Sequence, residues 1–150
     1  MIRPATHDDI EGLIELGRAM AAESPQFSRM PYSPSKVRTM LLSLIDNPRG
    51  FVRVADEGGQ LVGVMVGACT EHWACDGLAA FDLVLFVPTT RRGGIHAARL
   101  LRAFSDWSRQ VGAHIVTAGV STGTNPEQAD RLYHGLGFKR LGSVFDLSGR

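Results

Sequence analysis

An apolar run, a glycine pair and an amphipathic helix follow one another in the second half of the chain. Phe81 to Val87 is apolar apart from Asp82 and ends at Pro88, which is typical of a central strand. After Arg91 to Gly94, which read Arg-Arg-Gly-Gly, a helical pattern places its apolar face at Leu100, Phe104, Trp107 and Val111. The first amides of a helix lack intrahelical partners, and its N-terminus carries partial positive charge. This order therefore predicts an anion site where the glycine loop enters the helix.

The glycine loop differs from two well-known phosphate loops. It does not end in the Gly-Lys-Ser/Thr of nucleoside-triphosphate P-loops, and it does not carry the three-glycine dinucleotide fingerprint. Nucleotide hydrolysis and hydride transfer are therefore disfavoured. On this motif alone, an exposed turn before a helix explains the residues equally well.

The first half of the chain predicts two helices and a hairpin. Thr6 and Asp9 indicate a helix start, and a second helix should run from Ser35 and end before Pro48. Three prolines make the segment Glu23 to Pro34 a loop or a broken helix. The period then changes to that of a hairpin over Phe51 to Val66, and Glu71 to Gly77 is its outer loop.

The last third predicts a strand, a short helix and a further strand or strand pair. These elements are expected at His114 to Val120, at Pro126 to Leu136 with Asn125 opening the helix, and at Phe138 to Leu147. Antiparallel strands come first and helices alternate with strands afterwards. We therefore predict an α+β fold with a mixed sheet, as a single domain over residues 1–150.

Composition restricts the partners. The chain has 150 residues and a formal net charge of +1, which provides no field for nucleic acid or an anionic membrane surface. A signal peptide and a membrane span are not expected from its hydrophobicity, so we predict a cytoplasmic protein. The five histidines are dispersed and Cys69 and Cys75 match no zinc or redox spacing, so we predict no metal.

A second motif, Ala129-x-x-x-Tyr133-x-x-x-Gly137-Phe138, follows the glycine loop. Helical spacing places Ala129 and Tyr133 on one face, and Gly137 releases the chain into an extended segment. Together with Ile2-Arg3-Pro4-Ala5 and Val87-Pro88, the two motifs give the chain a pattern that resembles the Gcn5-related N-acetyltransferase (GNAT) superfamily. The resemblance implies a mixed, mostly antiparallel central sheet flanked by about four helices.

The resemblance implies acetyl-CoA as co-substrate. The family's pyrophosphate loop has three key places, here taken by Arg91, Gly94 and His96, although the family has a small residue where this chain has His96, and Ala97 follows it. The family's asparagine near the tyrosine is matched one position early, by Asn125. Cofactor contacts are thus expected from Phe86, Val87, Arg91, Arg92, Gly93, Gly94, Ile95, His96, Ala97 and Asn125.

The resemblance also implies direct attack of an amine on the thioester, with Tyr133 as the general acid for the leaving thiolate. A core aromatic is the alternative for Tyr133. A general base is expected among Glu71, His72, Asp76 and Asp82. Asp82 ranks first because it interrupts an apolar strand, where a carboxylate is either solvated or buried with a perturbed pKa.

Several alternatives remain open from the sequence. The acceptor is a small-molecule or peptide amine, an alcohol acceptor uses the same cofactor site, and a non-catalytic acyl-CoA sensor keeps the fold without turnover. Trp73 either lines the acceptor pocket, forms a subunit contact or has no function. A homodimer is expected from the family alone.

Overall fold

The computed structural model describes residues 1–119 and 126–147. Its central feature is a five-stranded sheet in the order β1-β2-β3-β4-β5, which comprises Ile2–Pro4, Gly50–Glu57, Gln60–Glu71, Leu78–Phe86 and Ile115–Thr117. The first four strands pair antiparallel, whereas β5 pairs parallel with β4. The predicted mixed, mostly antiparallel sheet is confirmed.

Four α-helices accompany the sheet: α1 (Ile10–Glu23), α2 (Pro34–Ile45), α3 (His96–Gln110) and α4 (Pro126–Gly135). The predicted capping arrangement of Thr6 and Asp9 belongs to a 3-10 turn at His7–Asp9 that leads into α1, in which the Thr6 amide donates to Asp9 Oδ2 at 2.8 Å. Ser33 caps α2 by accepting from the Lys36 amide, and Pro34 occupies the first helical turn. Between α1 and α2 the chain is irregular apart from a short 3-10 turn at Phe27–Arg29, so the prediction of a loop or a broken helix is confirmed.

Alternation along the strands divides the core into two layers. On β2, Val52 and Val54 pack with α1 and α2, whereas Phe51 and Ala55 pack with α3. The α3 layer centres on Phe104, which is fully buried and lies edge-on to Phe51 with ring centroids 5.4 Å apart. The predicted α3 face is thus confirmed for Leu100, Phe104 and Trp107.

Gly67 on β3 provides the space into which Phe104 packs. A Cβ atom at this position would lie 2.7 Å from Phe104 Cε2 and 2.8 Å from the Phe81 carbonyl oxygen. The second contact is with backbone, which cannot rotate away. Gly67 therefore allows α3 to approach the sheet closely at Phe104.

The prediction of a strand in Phe138 to Leu147 is wrong: residues 138–147 form no helix or strand. In this segment Leu141, Val144 and Phe145 face solvent and are 87%, 98% and 92% exposed. A strand requires a neighbouring backbone for its hydrogen bonds, and no ladder to β5 forms within the described residues. The apolar pattern of residues 138–147 was therefore not enough to predict a strand.

Replacing Gly67 by Ala should destabilise the protein by about 1–3 kcal/mol, because the added methyl group must displace Phe104 or the sheet backbone. Urea unfolding measures the change in the free energy of unfolding. Gly135→Ala is the matched control, since a Cβ atom there meets nothing within 4 Å and lies in a helix. Equal stabilities of the two variants would contradict the close approach at Gly67.

Candidate active site

The sheet opens between β4 and β5. The two strands pair at Ala79–Ile115, Ala80–Val116 and Phe81–Thr117, and the ladder ends there. Beyond this point the edge of β4 borders a cavity of about 240 Å³, lined by residues 82–87 on one wall. Within residues 1–119 and 126–147 no strand pairs with this edge of β4 beyond Phe81, so its backbone groups suit pairing with an extended ligand.

A β-bulge at Leu83 shapes this edge. Val66 faces Val84 whereas Gly67 faces Asp82, so Leu83 is an extra residue on β4. The bulge reverses which face of the sheet the odd- and even-numbered side chains of β4 occupy. Ala80 before the bulge and Leu85 after it both pack in the α3 layer, whereas Val84 and Phe86 pack in the α1 layer. Leu83 itself is 45% exposed and lines the cavity. The cavity therefore has walls from both faces of the sheet.

The glycine loop connects β4 to α3. A 3-10 turn at Thr89–Arg91 leads to Gly93, whose φ of +88° lies in the region that favours glycine, and α3 begins at His96. Ile95 at the N-cap supplies no side-chain cap, and the Arg99 amide donates to the Ile95 carbonyl in the first turn. The helix N-terminus is thus suited to an anion.

Glu57, the last residue of β2, binds Arg91 in the loop and His96 at the start of α3. Its carboxylate accepts from Arg91 Nη1 at 2.7 Å and lies 2.8 Å from His96 Nε2. The imidazole Nε2 is thus engaged by the end of β2. This contact explains how a large side chain occupies a position where the family pattern has a small one.

Glu23, at the end of α1, holds the other side of the loop. It accepts from Arg92 Nη2 at 2.6 Å and from the Thr89 hydroxyl at 2.7 Å, while Arg92 Nε donates to the Val87 carbonyl at 2.9 Å. Burial alone would raise the pKa of Glu23, but the Thr89 hydrogen bonds and the Arg92 charge outweigh it and lower that pKa. Glu23 is therefore an ionised partner of the loop.

Asp82 and Tyr133 converge on one residue across the opening. Asp82 Oδ1 accepts from the Gly119 amide at 3.0 Å, and the Tyr133 hydroxyl donates to the Gly119 carbonyl at 3.0 Å. The Asp82 carboxylate thus takes the place of the backbone hydrogen bond that a continued β4–β5 ladder would make. Gly119 thus connects the two residues that the sequence named for acid and base chemistry.

Burial affects both of these groups. It raises the pKa of Asp82, although the Gly119 hydrogen bond opposes this effect. It also raises the pKa of Tyr133, and the nearby Asp82 charge adds to that increase. The phenol therefore keeps its proton at neutral pH, while the carboxyl group is a stronger base than an exposed aspartate.

Most residues predicted for the site line the cavity. These are Asp82, Phe86, Val87, Arg91, Arg92, Gly93, Gly94, His96, Ala97 and Tyr133. Ile95 is the N-cap of α3, 54% exposed, and does not line it. Asn125 lies outside the described residues.

Sequence reasoning missed Glu23, Glu57 and Gly119. Glu23 and Glu57 contact the loop across separations of 69 and 34 residues, which no local motif reveals. Their one visible signal was the arginine pair, since charged groups at a partly buried site require counter-charges.

Three candidate bases do not lie at the cavity. Glu71 ends β3, and His72 Nδ1 accepts from the Ala74 and Cys75 amides in the β3–β4 turn, while Asp76 lies in the same turn. This turn precedes Leu78 at the start of β4, whereas the cavity borders the second half of that strand. The turn also carries Trp73, 92% exposed, which does not line the cavity.

The described residues hold neither a candidate metal site nor a helix able to span a membrane. Across residues 1–119 and 126–147, no group of three or more His, Cys, Asp or Glu residues is arranged to hold a metal ion. In the same residues, no helix combines the length and apolarity needed to cross a membrane.

Known structures share this fold across nearly the whole chain. A transcriptional regulator from Bacillus halodurans C-125 is 20% identical with a TM-score of 0.80, covering 98% of this chain and 97% of its own. AAC(6')-Iy in complex with the bisubstrate analog CoA-S-monomethyl-acetylneamine is 16% identical with a TM-score of 0.77, covering 100% and 97%. A ribosomal-protein-alanine N-acetyltransferase from Brucella melitensis biovar Abortus 2308 is 16% identical with a TM-score of 0.70, covering 98% of each chain.

No curated protein sequence matches that of this chain significantly. The model of the acetyltransferase (GNAT) family matches residues 17–138, which include the glycine loop, the bulged strand and Tyr133. The chain therefore belongs to the acetyltransferase (GNAT) family.

Proposed function

We propose that the protein transfers an acetyl group from acetyl-CoA to a primary amine. The observation that carries this proposal is the convergence of Asp82 and Tyr133 on Gly119 beside the open edge of β4. The cavity at this edge also reaches the glycine loop, so one ligand can contact both. A neighbour of the same fold, AAC(6')-Iy, forms a complex with a CoA bisubstrate analog.

The residues present fit acetyl-CoA. Backbone amides of residues 93–97 suit a pyrophosphate, because glycine allows close approach and the α3 N-terminus favours negative charge. The β4 edge at Phe86 and Val87 suits an extended pantetheine arm, which would pair with it as an added strand. Asn125 stays a prediction from the family pattern.

The transfer requires few covalent steps. The amine nitrogen attacks the acetyl carbonyl carbon, the new C–N bond forms, and the C–S bond breaks with its electron pair remaining on sulfur. Tyr133 supplies a proton to this thiolate, and Asp82 accepts the proton that the amine loses. The two residues then exchange the proton through solvent, so no net charge stays on the enzyme.

The Tyr133 hydroxyl has a single proton to donate. In the structure that proton is directed at the Gly119 carbonyl. Rotation about the C–O bond redirects it without moving the ring. The edge-on contact with Phe138, at 5.6 Å between ring centroids, keeps the ring in place when the hydroxyl proton turns away from Gly119.

A non-catalytic acyl-CoA sensor is the alternative, because a fold alone does not establish turnover. Titration with acetyl-CoA followed by an amine panel, monitored for free thiol, separates the two. Thiol release that depends on an amine supports the enzyme, and binding without release on any amine supports the sensor. An alcohol panel tests the remaining acceptor class, and the cytoplasmic location and the homodimer stay predictions from the sequence.

Replacing His96 by Ala should lower the free energy of unfolding by about 1 kcal/mol, because the hydrogen bond to Glu57 is lost. Acetyl-CoA affinity should change by less than about threefold, since the imidazole nitrogen is engaged by Glu57 rather than by the loop. Chemical denaturation and calorimetry measure the two quantities. His7→Ala, which removes an exposed contact to Asp46, should cost less stability. A tenfold gain in affinity would show that His96 obstructs the loop.

Replacing Tyr133 by Phe should reduce kcat by about 100-fold, because the proton donor for the thiolate is lost while the ring remains. Acetyl-CoA affinity should be unchanged. Tyr32→Phe is the matched control: its hydroxyl also donates to a backbone carbonyl, that of Ile14 at 2.8 Å, but it does not line the cavity. Normal turnover of the Tyr133 variant would rule out its role as acid.

Replacing Asp82 by Asn should remove the acidic limb of the pH–rate profile and reduce kcat/KM by about 100-fold at neutral pH. Burial raises the pKa of Asp82, so the wild-type rate should fall as the pH drops through a value above that of an ordinary aspartate. Asn keeps an oxygen for the Gly119 amide, which preserves the opening. Asp106→Asn on exposed α3 surface is the control, and an unaltered limb in the Asp82 variant would assign the base elsewhere.

A further inference from the structure

We infer that the acceptor is a small monoamine on an apolar body rather than a polycation or a peptide. This inference rests on the proposed function and concerns the part of the same cavity that the co-substrate does not need. The aminoglycoside enzyme AAC(6')-Iy shares the fold, and fold likeness at 16% identity leaves the acceptor open. The residues that line this chain's own cavity indicate the class of acceptor.

The cavity extends from the glycine loop to the end of α1. Met20 on α1 and Phe27 on the 3-10 turn line it together with the bulge residue Leu83 and its neighbour Val84. All four side chains are apolar. Since residues 93–97 and the β4 edge at Phe86 and Val87 suit the co-substrate, this apolar part is what remains for the acceptor.

Charge in the cavity excludes a polycation. The described lining includes two carboxylates, Glu23 and Asp82, two guanidinium groups, Arg91 and Arg92, and one imidazole, His96. Glu23 is engaged by Arg92 and Thr89, which leaves Asp82 as the carboxylate in the lining that can face an ammonium group. Residues 120–125 contain no Asp or Glu in the sequence. One ammonium group therefore finds a counter-charge, and further ammonium groups would be buried without one.

Size points in the same direction. Ligand cavities typically measure about 300–1,000 Å³. This cavity, about 240 Å³, must also accept the thioester end of the co-substrate. Phe27 and Leu83 offer partly exposed apolar surface for the remainder. A ring or a short alkyl chain uses that surface, whereas a sugar hydroxyl or a peptide group turned toward Phe27 and Leu83 would lose its hydrogen bonds to water there.

The test uses the full chain saturated with CoA and three probes: 2-phenylethylamine, the polycation kanamycin and a tripeptide beginning with alanine. Calorimetry measures the affinity of each probe, and thiol release from acetyl-CoA measures kcat/KM. We expect 2-phenylethylamine to exceed both other probes by at least about tenfold in each measurement. Preference for kanamycin or for the tripeptide would overturn the inference, as would absence of binding by all three probes.

Phe27→Ala should weaken 2-phenylethylamine binding about tenfold, because it removes one apolar wall. Phe145→Ala is the matched control, since Phe145 is 92% exposed and does not line this cavity. Acetyl-CoA affinity, measured first for each variant, reports folding and separates the two proposals. If the wild-type protein does not bind acetyl-CoA, both the proposed function and this inference are contradicted. If acetyl-CoA binding is intact and Phe27→Ala and Phe145→Ala bind 2-phenylethylamine with equal affinity, only this inference is contradicted.

Discussion

The arrangement of the site depends on the point where β5 stops pairing with β4. Three residue pairs hold the two strands together, and Asp82 then turns its carboxylate toward the Gly119 amide in place of a backbone partner. A continued ladder would have satisfied the β4 edge within the chain and left no backbone groups for a ligand. The opening is therefore the reason that Asp82 and Tyr133 meet at Gly119, and it is the place where the proposed co-substrate would pair with β4.

The bulge at Leu83 lets side chains from both faces of the sheet line the cavity. By shifting the alternation of β4, it turns Val84 and Phe86 toward α1 while Leu85 stays in the α3 layer. The cavity can thus combine the α3 N-terminus from one layer with Met20 and Phe27 from the other. Gly67, which lies beside this bulge, allows Phe104 of α3 to lie against the sheet.

Sequence reasoning succeeded where the signal is local. The strand, glycine loop and helix from Leu78 to Gln110 follow from periodicity and from the two glycines, and the helix that carries Ala129 and Tyr133 follows from their spacing. It failed where a contact joins distant segments: Glu57 and Glu23 reach the loop from other elements, and their own neighbours in sequence indicate nothing of this. The strand predicted at Phe138 to Leu147 failed for the same reason, because pairing is a property of two segments and one pattern describes a single segment.

The pairing of both loop arginines with carboxylates has a kinetic consequence. Arg91 with Glu57 and Arg92 with Glu23 form two neutral pairs, so the loop presents little net field to the surrounding solution. Long-range attraction accelerates the encounter of an anion with a protein when unpaired charge of the opposite sign faces it. If the loop binds the pyrophosphate of acetyl-CoA as proposed, its selection of the anion rests on short-range contacts with backbone amides and the α3 dipole, and the encounter rate should depend little on ionic strength.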